Sequence, residues 1–355
     1  MNKFLLFSLF LTLASCATFE SSHSLQDGAT LQDINSETLN VFLVGDAGKP
    51  ENGKAPKALL EMQKQFSKAT KDDLLFFLGD NIYPKGFPDK GEKGHDAAKE
   101  AMELQLEVAK TFPGSVYVIP GNHDWYSGIK GLKRQEKLVE DALGKNTFKP
   151  EDGCGIDRIN ISDDVVLILV DSQWYITNWD KQPTINDDCG IKTREQFLDE
   201  FKSEVKKARG KTTLVAIHHP MFSNGPHNGQ YTFAEHMKPL PIIGTLKNIL
   251  RSTTGISNAD MSNWFYNDMR KQLIAAAQQN DHVIFISGHE HSLQFIQLDN
   301  LTQIISGSGS KTTGVRTRSQ DQFGASENGY AVLNIHKNMA TDVQIFNCRT
   351  QRSGF

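Results

Sequence analysis

Short runs of consecutive apolar residues recur along the chain, and each is followed at once by a polar turn. Five of these runs end at an Asp, Asn or His, and they occupy residues 41–44, 75–78, 116–119, 214–217 and 283–286. A continuous apolar run of this length is typical of a strand that is buried on both faces of a parallel sheet. Because functional side chains gather at the carboxyl ends of such strands, the five run ends predict one site.

Segments with helical spacing alternate with these strands. The spacing predicts helices over residues 54–71, 96–111, 128–144, 193–209 and 267–279. Further strands are predicted over residues 158–161, 165–170, 302–305, 331–335 and 341–346. The strand–helix–strand order near the start is a βαβ unit with parallel strands. The meander that follows favours an α/β fold of two packed sheets with helices outside, rather than one doubly wound sheet.

Clear periodicity is lost from residue 224 to residue 264, where Gly, Pro, Asn and Ser are scattered. A loop of this length inside a compact domain is usually a lid or a specificity insert, unless it contains short helices, for which residues 246–250 are a candidate. Phe233, Trp264 and Phe265 would either line a substrate pocket or pack into the core. Packing is the simpler interpretation.

The N-terminus, residues 1–16, is predicted to be a signal peptide rather than part of the fold. An apolar stretch over residues 4–13 is too short to span a bilayer and ends in Leu-Ala-Ser-Cys at Cys16. This resembles a bacterial lipobox, in which the cysteine is lipidated; a secretory signal cleaved nearby, with Cys16 incidental, is the alternative. Residues 17–36 predict a flexible tether, and residues 37–355 the catalytic domain. We expect export, with membrane association only through this anchor.

Composition and charge narrow the function. The 355 residues carry a net charge of -4, with no block of Lys and Arg, so a nucleic-acid-binding surface is not expected. An anionic substrate would have to be held by local charge, such as metal ions. Cys154 and Cys189 lie in polar loop sequence, and we expect this pair to form a disulfide in an exported protein. Cys348 is then left over, and the sequence alone does not fix the pairing.

Candidate metal ligands follow the five apolar runs. They are Asp46, Asp80, Tyr83, Asn122, His218, His289 and His291. A mixed nitrogen and oxygen set of this size exceeds the needs of one ion, whereas two ions that share a carboxylate would use it fully. His289 and His291 are one residue apart, so a bend could direct one to each ion. Each motif alone has an ordinary structural explanation, as a turn or a polar strand end, and it is their ordered recurrence that predicts a metal site.

These motifs resemble the five sequence blocks of the calcineurin-like metallophosphoesterases. They are Gly45-Asp46-Ala47-Gly48, Gly79-Asp80-Asn81-Ile82-Tyr83, Gly121-Asn122-His123-Asp124, Val215-Ala216-Ile217-His218 and Gly288-His289-Glu290-His291. Tyr83 makes the chain similar, more narrowly, to the small, tartrate-resistant type of purple acid phosphatase, in which a tyrosine binds ferric iron. The resemblance runs over residues 41–309. It implies a four-layer α-β-β-α sandwich of two mixed sheets flanked by helices.

The resemblance also implies roles for individual residues. Asp46, Tyr83 and His291 would bind the ferric ion, Asp80 would bridge, and Asn122, His218 and His289 would hold a divalent ion, which is Fe, Zn or Mn. His123 would contact the phosphate near the leaving group. His227 matches a further family histidine in position, although the loop around it is dissimilar. The implied activity is that of an acid phosphatase, which hydrolyses phosphate monoesters of small molecules or phosphoproteins by direct attack of a metal-bound hydroxide.

Two departures from the family pattern leave the substrate open. His219 stands where small family members commonly have Tyr, and the stretch 228–264 is longer than in the mammalian-type enzymes. A phosphodiesterase or nucleotidase that uses Mn, Zn or Fe on the same scaffold, with Tyr83 structural, is the alternative enzyme. A surface protein with a relic site is disfavoured because no ligand position is lost. The oligomeric state is open, with a monomer as the simplest expectation.

Overall fold

The structure is a computed structural model, and it describes residues 38–317 and 322–348. The predicted signal peptide with its lipobox at Cys16 and the predicted tether over residues 17–36 lie outside these described residues. Within the described ranges, no helix combines the length and the apolar character needed to cross a membrane.

Two mixed β-sheets form the centre of the fold, as predicted. The strands of the described chain are β1 (Thr38–Val44), β2 (Leu74–Leu78), β3 (Ser115–Ile119), β4 (Ile156–Asn160), β5 (Val165–Val170), β6 (Thr212–Ile217), β7 (Val283–Ser287), β8 (Leu293–Leu298), β9 (Leu301–Ser306), β10 (Phe323–Ala325), β11 (Gly329–His336) and β12 (Thr341–Asn347). One sheet has the order β12-β11-β1-β2-β3 and the other the order β10-β8-β9-β7-β6-β5-β4. Strands β1, β2 and β3 are parallel, as are β5, β6, β7 and β9. The carboxyl ends of the five predicted strands therefore come from the parallel parts of both sheets.

Most of the helices pack against the outer faces of the sheets, whereas the two over residues 233–236 and 241–254 contact each other and bury no apolar side chain. The helices of the described chain are α1 (Lys57–Gln63), α2 (His95–Ala109), α3 (Gly128–Leu143), α4 (Ser172–Ile176), α5 (Arg194–Lys207), α6 (Phe233–His236), α7 (Pro241–Thr254) and α8 (Trp264–Ala277). Helix α1 is shorter than the predicted span of 54–71. The chain turns back toward β2 instead, because the backbone N–H of Thr70 donates to the carboxylate of Asp73 at 2.7 Å rather than to a helical carbonyl. The other predicted helices agree with the structure to within a few residues.

Alternate residues of each central strand belong to two separate cores. In β1, Val41 and Leu43 pack between the two sheets. Phe42 points the other way, and its ring makes edge contacts with Phe66 at 5.7 Å and Phe112 at 5.5 Å beneath the helices. Both faces of these strands are thus buried, which explains the continuous apolar runs and confirms the predicted layer order.

The middle part of the expected loop over residues 224–264 is helical, and the short helix considered at residues 246–250 is confirmed as part of the longer helix α7. Pro241 occupies the first position of α7, where its missing N–H and fixed φ are tolerated. Apolar residues then follow helical spacing, but Ile242, Leu246 and Ile249 are 83%, 57% and 51% exposed. The apolar stripe of this helix faces solvent instead of the core.

The predicted disulfide between Cys154 and Cys189 is confirmed, with a sequence separation of 35 residues. It joins the segment before β4 to the segment before α5. Cys348 is a half-buried free thiol. Strands β8 and β10 and the short helix α4 were not predicted, because β8 carries glutamines at two positions and the other two are too short to show a period.

Candidate metal centre

The side chains predicted as ligands meet where the parallel strands of the two sheets end. One oxygen of Asp46, one oxygen of Asp80 and one ring nitrogen of His291 lie within 4.8 Å of one another. The hydroxyl of Tyr83 donates to Asp46 Oδ1 at 2.9 Å and lies 3.3 Å from His291 Nε2. Asp46, Tyr83 and His291 therefore form one half of the site, next to Asp80.

The other half is built around Asn122. Its Oδ1 lies 3.2 Å from His218 Nε2 and 3.1 Å from His289 Nδ1. His218 Nε2 is also 3.4 Å from Asp80 Oδ1. Asp80 thus borders both halves, in the position that a shared carboxylate requires.

Hydrogen bonds behind these ligands determine which atoms face inward. His218 Nδ1 donates to the carbonyl of Leu78 at 2.8 Å, and His289 Nε2 donates to the carbonyl of Ala259 at 2.7 Å. A carbonyl only accepts, so the proton of each neutral ring lies on the outer nitrogen and the inner nitrogen presents a lone pair. The amide nitrogen of Asn122 likewise donates to the hydroxyl of Tyr126 at 2.8 Å, which turns Oδ1 inward.

In neutral rings, the two inward nitrogens are hydrogen-bond acceptors, and both lie against the amide oxygen of Asn122, which is also an acceptor. Nε2 of His218, Nδ1 of His289 and Oδ1 of Asn122 have no proton to share at separations of 3.1 to 3.2 Å. A cation between the atoms would satisfy all three lone pairs at once. The donor set, which mixes imidazole nitrogens with carboxylate, amide and phenol oxygens, fits ions of the iron, zinc and manganese kind.

Burial and neighbouring charges determine the protonation of these groups. Burial lowers the pKa of His289 well below its usual range, and the nearby His227 and His219 lower it further, so the ring stays neutral. Burial raises the pKa of Asp46, but His291, His218 and Tyr83 outweigh it and the net shift is downward. The site therefore combines a neutral imidazole at His289 with an ionised carboxylate at Asp46.

Tyr83 behaves differently. Burial raises the pKa of its phenol well above the usual range, and the carboxylates of Asp46 and Asp80 raise it further. The phenol therefore stays protonated unless a strongly Lewis-acidic cation is bound beside it.

The backbone is strained at three of the ligands. Asp46, Asp80 and His289 have φ values of 58°, 53° and 70°, in the left-handed region that non-glycine residues seldom adopt. Glycine at 121 allows the strand ends to approach, because a Cβ there would lie 2.3 Å from the backbone nitrogen and from Oδ1 of Asp80. Gly288 has the same role beside Asp46, where a Cβ would lie 2.6 Å from Oδ2.

His123 and His227, predicted as catalytic residues, lie on opposite sides of the ligands. The backbone N–H of His123 donates to Asp80 Oδ1 at 2.9 Å, and its ring Nδ1 donates to the carbonyl of Pro84 at 2.6 Å. Its ring contacts that of Tyr83 at a centroid distance of 4.5 Å. The side chain is 26% exposed, and its Nε2 lies 3.9 Å from Asp80 Oδ2.

The ring of His227 lies beside the other half, 4.2 Å from the ring of His289. Its Nδ1 donates to Asp260 Oδ1 at 2.9 Å. Burial lowers the pKa of His227, but the carboxylates of Glu290 and Asp260 outweigh it and the net shift is upward. The segment 228–264, which supplies Ala259 and Asp260, is thus part of the wall of the site.

His219, noted as a departure from the family pattern, is fully buried behind the ligands. Its Nδ1 lies 2.7 Å from the hydroxyl of Ser172, and its ring contacts that of His289 at 4.3 Å. It supports a ligand from the core side and does not line the opening.

Three supporting residues were not predicted. Asp124 accepts from the backbone nitrogens of Gly121 at 2.7 Å and Ile82 at 3.1 Å, and so ties together the two loops that carry Asp80 and Asn122. Glu290 accepts from the backbone nitrogen of His227 at 3.0 Å and positions that loop. Both stand within the quoted motifs, so the only available signal was an acidic residue beside a predicted ligand.

Lys311 is the third supporting residue. Its Nζ lies 2.9 Å from the centre of the Tyr83 ring. Burial lowers the pKa of Lys311, and the carboxylates of Asp80 and Asp46 partly offset this. It places a cation at the opening, and the Gly/Ser-rich sequence around it shows no pattern that would have predicted this.

Carboxylates, an amide and imidazoles at the strand ends of two packed mixed sheets define a metal-dependent hydrolase. Residues 39–293 match the profile of the calcineurin-like phosphoesterases, and the chain belongs to this family, whose members use a dinuclear metal centre. Human tartrate-resistant acid phosphatase type 5 is 23% identical over 300 residues, which cover 81% of this chain and 75% of that protein. Purple acid phosphatase 3 of Arabidopsis thaliana is 22% identical over 282 residues, which cover 77% of this chain and 64% of that protein.

Solved structures agree on the fold. GAP50, described as the anchor in the inner membrane complex of Plasmodium, superimposes with a TM-score of 0.56 at 16% identity over 89% of this chain and 90% of its own. PhoD superimposes with a TM-score of 0.53 at 11% identity, over 91% of this chain and 74% of its own. The predicted family and fold are confirmed. The chain is a phosphoesterase-family hydrolase with distant acid phosphatase relatives.

Proposed function

We propose that this protein is an acid phosphatase that hydrolyses phosphate monoesters at a centre of one ferric and one divalent ion. The observation that carries the proposal is the position of Tyr83, whose hydroxyl lies against Asp46 and His291. A phenol in this position gives one half of the site a ligand that favours a trivalent ion. The other half, with two imidazoles and an amide oxygen, suits a divalent ion.

Asp46, Tyr83 and His291 would hold the ferric ion, Asp80 would bridge, and Asn122, His218 and His289 would hold the divalent ion. Bound there, the two ions would supply Lewis-acid activation of water and of the phosphoryl oxygens.

The chain's own residues supply the rest of the chemistry. The Nδ1 proton of His123 is held by the carbonyl of Pro84, so His123 would donate from Nε2 to a phosphate oxygen in its doubly protonated form. Lys311 adds positive charge beside Tyr83, which favours a monoester dianion over a diester monoanion. The upward pKa shift of His227 keeps a proton available for the departing oxygen.

The test is a visible absorption spectrum with metal analysis on wild-type protein and on Tyr83→Phe. A broad visible band in the wild type, absent from Tyr83→Phe, together with about two metals per chain including iron, is the expected result. Tyr117→Phe, a tyrosine of β3 remote from the site, is the matched control and should keep the band.

Substrate preference is measured on the same preparations with 4-nitrophenyl phosphate and bis(4-nitrophenyl) phosphate. We expect hydrolysis of the monoester to dominate and to have an acid optimum. A colourless but active protein that prefers the diester would refute the proposal, and would favour the phosphodiesterase alternative with Mn or Zn.

We also propose export and attachment to a membrane through lipidated Cys16, on the lipobox-like sequence alone. Cys16→Ser should move the protein from the membrane fraction to the soluble fraction of the expressing cell. If the variant stays with the membrane, the anchor is not at Cys16.

A further inference from the structure

Helices α6 and α7 and the turn after them carry an exposed apolar surface. Nine of the thirteen large apolar side chains that are exposed in the described parts of the chain lie within residues 233–256, and we call these nine the apolar surface. Exposed apolar residues that are scattered singly are ordinary in proteins. A concentration of them in one segment marks a contact with another molecule or with a membrane.

Helix α7 is inverted relative to a helix that packs on a core. Its large apolar residues recur at intervals of three and four, which places them on one face, and each is at least 50% exposed. They are Ile242, Ile243, Leu246, Ile249 and Leu250. The buried positions, Gly244 and Asn248, lie on the opposite face. A Cβ at position 244 would lie 2.4 Å from the carbonyl oxygen of His236, so α7 is held closely against the protein by its small and polar side.

Positive charge borders the apolar surface. From His236 to Ala259 the sequence contains no Asp or Glu but has Lys238, Lys247 and Arg251, in a chain whose net charge is -4. Lys238 and Lys247 are exposed. Lys247 follows Ile243 by four residues and therefore stands at the edge of the apolar stripe. An apolar stripe with a basic border is typical of a helix that lies in the interface of an anionic bilayer.

The aromatic residues that follow this segment are exposed as well. Trp264 and Phe265, expected to pack into the core, line a cavity of about 920 Å³ together with Thr254 and Gly255 at the end of α7. Phe233, for which packing was also expected, is 54% exposed. Trp264 is 76% exposed, and an indole ring in such a position is favourable at the boundary between lipid and water.

Charge favours a lipid surface over a second copy of this chain. A symmetric dimer through α7 would bring Lys238 and Lys247 of one copy against the same basic surface of the other, and like charges oppose such a contact. An anionic bilayer takes up the apolar stripe and attracts its basic border. The lipid anchor proposed at Cys16 would permit the contact, since the residues 17–37 between it and β1 can reach up to about 70 Å.

We propose that the apolar surface lies in the headgroup region of an anionic phospholipid membrane, with α7 parallel to the bilayer plane. Membrane association only through Cys16 is the expectation from the sequence, and this surface adds a second contact. The same segment supplies Ala259 and Asp260 to the metal centre, and Arg251 of α7 pairs with Asp260. The membrane would therefore lie within about 20 Å, one length of α7, of the metal centre.

The first experiment locates the contact by fluorescence. The full chain carrying Cys16→Ser, which cannot be lipidated at that position, is mixed with vesicles of phosphatidylcholine and phosphatidylglycerol whose acyl chains are brominated. Bromine quenches indole fluorescence only at close range. Leu246→Trp places an indole in the apolar stripe, and Leu298→Trp, at an exposed leucine of β8, is the matched control. We expect strong additional quenching for Leu246→Trp and none for Leu298→Trp.

The second experiment measures affinity by co-sedimentation with unbrominated vesicles, in the same Cys16→Ser background. Leu246→Ser should weaken binding about tenfold, whereas Leu298→Ser should not change it. Lys247→Glu should weaken binding to the anionic vesicles about tenfold or more and leave binding to pure phosphatidylcholine unchanged. Lys145→Glu, at an exposed lysine outside the surface, is its control. Because all four positions are exposed, melting temperatures should stay close to that of the parent protein.

Three results would overturn the proposal. One is equal quenching of Leu246→Trp and Leu298→Trp. Another is equal binding of Leu246→Ser and its parent to anionic vesicles. The third is a dimer in lipid-free sedimentation velocity that Leu246→Ser dissociates, without vesicle binding, which would assign the surface to a second copy. None of these measurements uses hydrolysis, so the result does not depend on the phosphatase function.

Discussion

The contact between Asp260 and His227 gives the sharpest test of how this site would assist a leaving group. Asp260 is 2% exposed, accepts from His227 Nδ1 at 2.9 Å and pairs with Arg251 through two bonds of 3.0 and 2.5 Å. Burial raises the pKa of Asp260, but His227 and Arg251 outweigh it and the carboxylate stays ionised. Asp260 is thus a positioning residue that orients His227 and stabilises its protonated form.

Replacing Asp260 with Asn keeps the shape and removes the charge. The lost charge-assisted hydrogen bond is worth about 1.5 to 2 kcal/mol, which corresponds to a fall in kcat/KM of roughly 10 to 30-fold. The fall should depend on the substrate. Alkyl phosphates, whose leaving group needs a proton, should show all of it, whereas 4-nitrophenyl phosphate, whose leaving group needs none, should show little.

The assay is kcat/KM for a series of aryl and alkyl phosphates of increasing leaving-group pKa, at fixed metal content. Glu235→Gln is the control, because Glu235 lies in the same segment and caps α6 without contact to His227. An equal fall for every leaving group would show that Asp260 has only a structural role. An unchanged kcat/KM for every substrate would refute the idea that His227 depends on Asp260.

Three further predictions concern stability and metal binding. Replacing both Cys154 and Cys189 with Ser opens a loop of 35 residues and should cost about 4 kcal/mol of unfolding free energy in urea titrations; an unchanged midpoint would contradict this. Burial raises the pKa of Glu136 from 4.5 to about 7. Between these two pH values the folded protein keeps a proton that the unfolded chain releases, so the contribution of Glu136 to stability is fully present below pH 4.5 and is lost as the pH rises to about 7. Glu136→Gln should therefore melt like the wild type at pH 4.5 and be about 1 to 2 kcal/mol more stable at pH 8, after allowance for solvent screening; parallel melting curves at both pH values would exclude it. Gly121→Ala should weaken metal binding about 10 to 100-fold, because a Cβ would overlap the backbone of Asp80, and full metal content after dialysis would be the contrary result.

The parts of the site that lie at the ends of buried strands could be predicted from the sequence. A strand such as β2 is apolar on both faces, so its run in the sequence stops where the chain leaves the core, and Asp80 stands at that point. The same reasoning located Asn122 and His218. The carbonyls of Leu78 and Ala259, which hold the ring protons of two histidines, belong to the backbone and leave no mark in the sequence.

The segment after β6 was predicted only in part, for a different reason. Helix α7 has its apolar stripe on the solvent side, and Gly244 and Ser252 interrupt the pattern, so only residues 246–250 suggested a helix. The cavity beside it depends on Trp264 and Phe265, whose burial cannot be inferred from residue type alone. Aromatic residues are more often packed than exposed, and that general tendency failed here.

The left-handed backbone at Asp46, Asp80 and His289 limits how this site can change during evolution. Among residues with a side chain, Asn, Asp and His tolerate this conformation best, while β-branched residues such as Val and Thr strongly disfavour it. Drift at positions 46 and 80 is thereby directed toward Asn or Gly, which would remove charge from the centre in single steps. The conformation of the main chain, as much as the need for metal, restricts the residue types that can occupy these ligand positions.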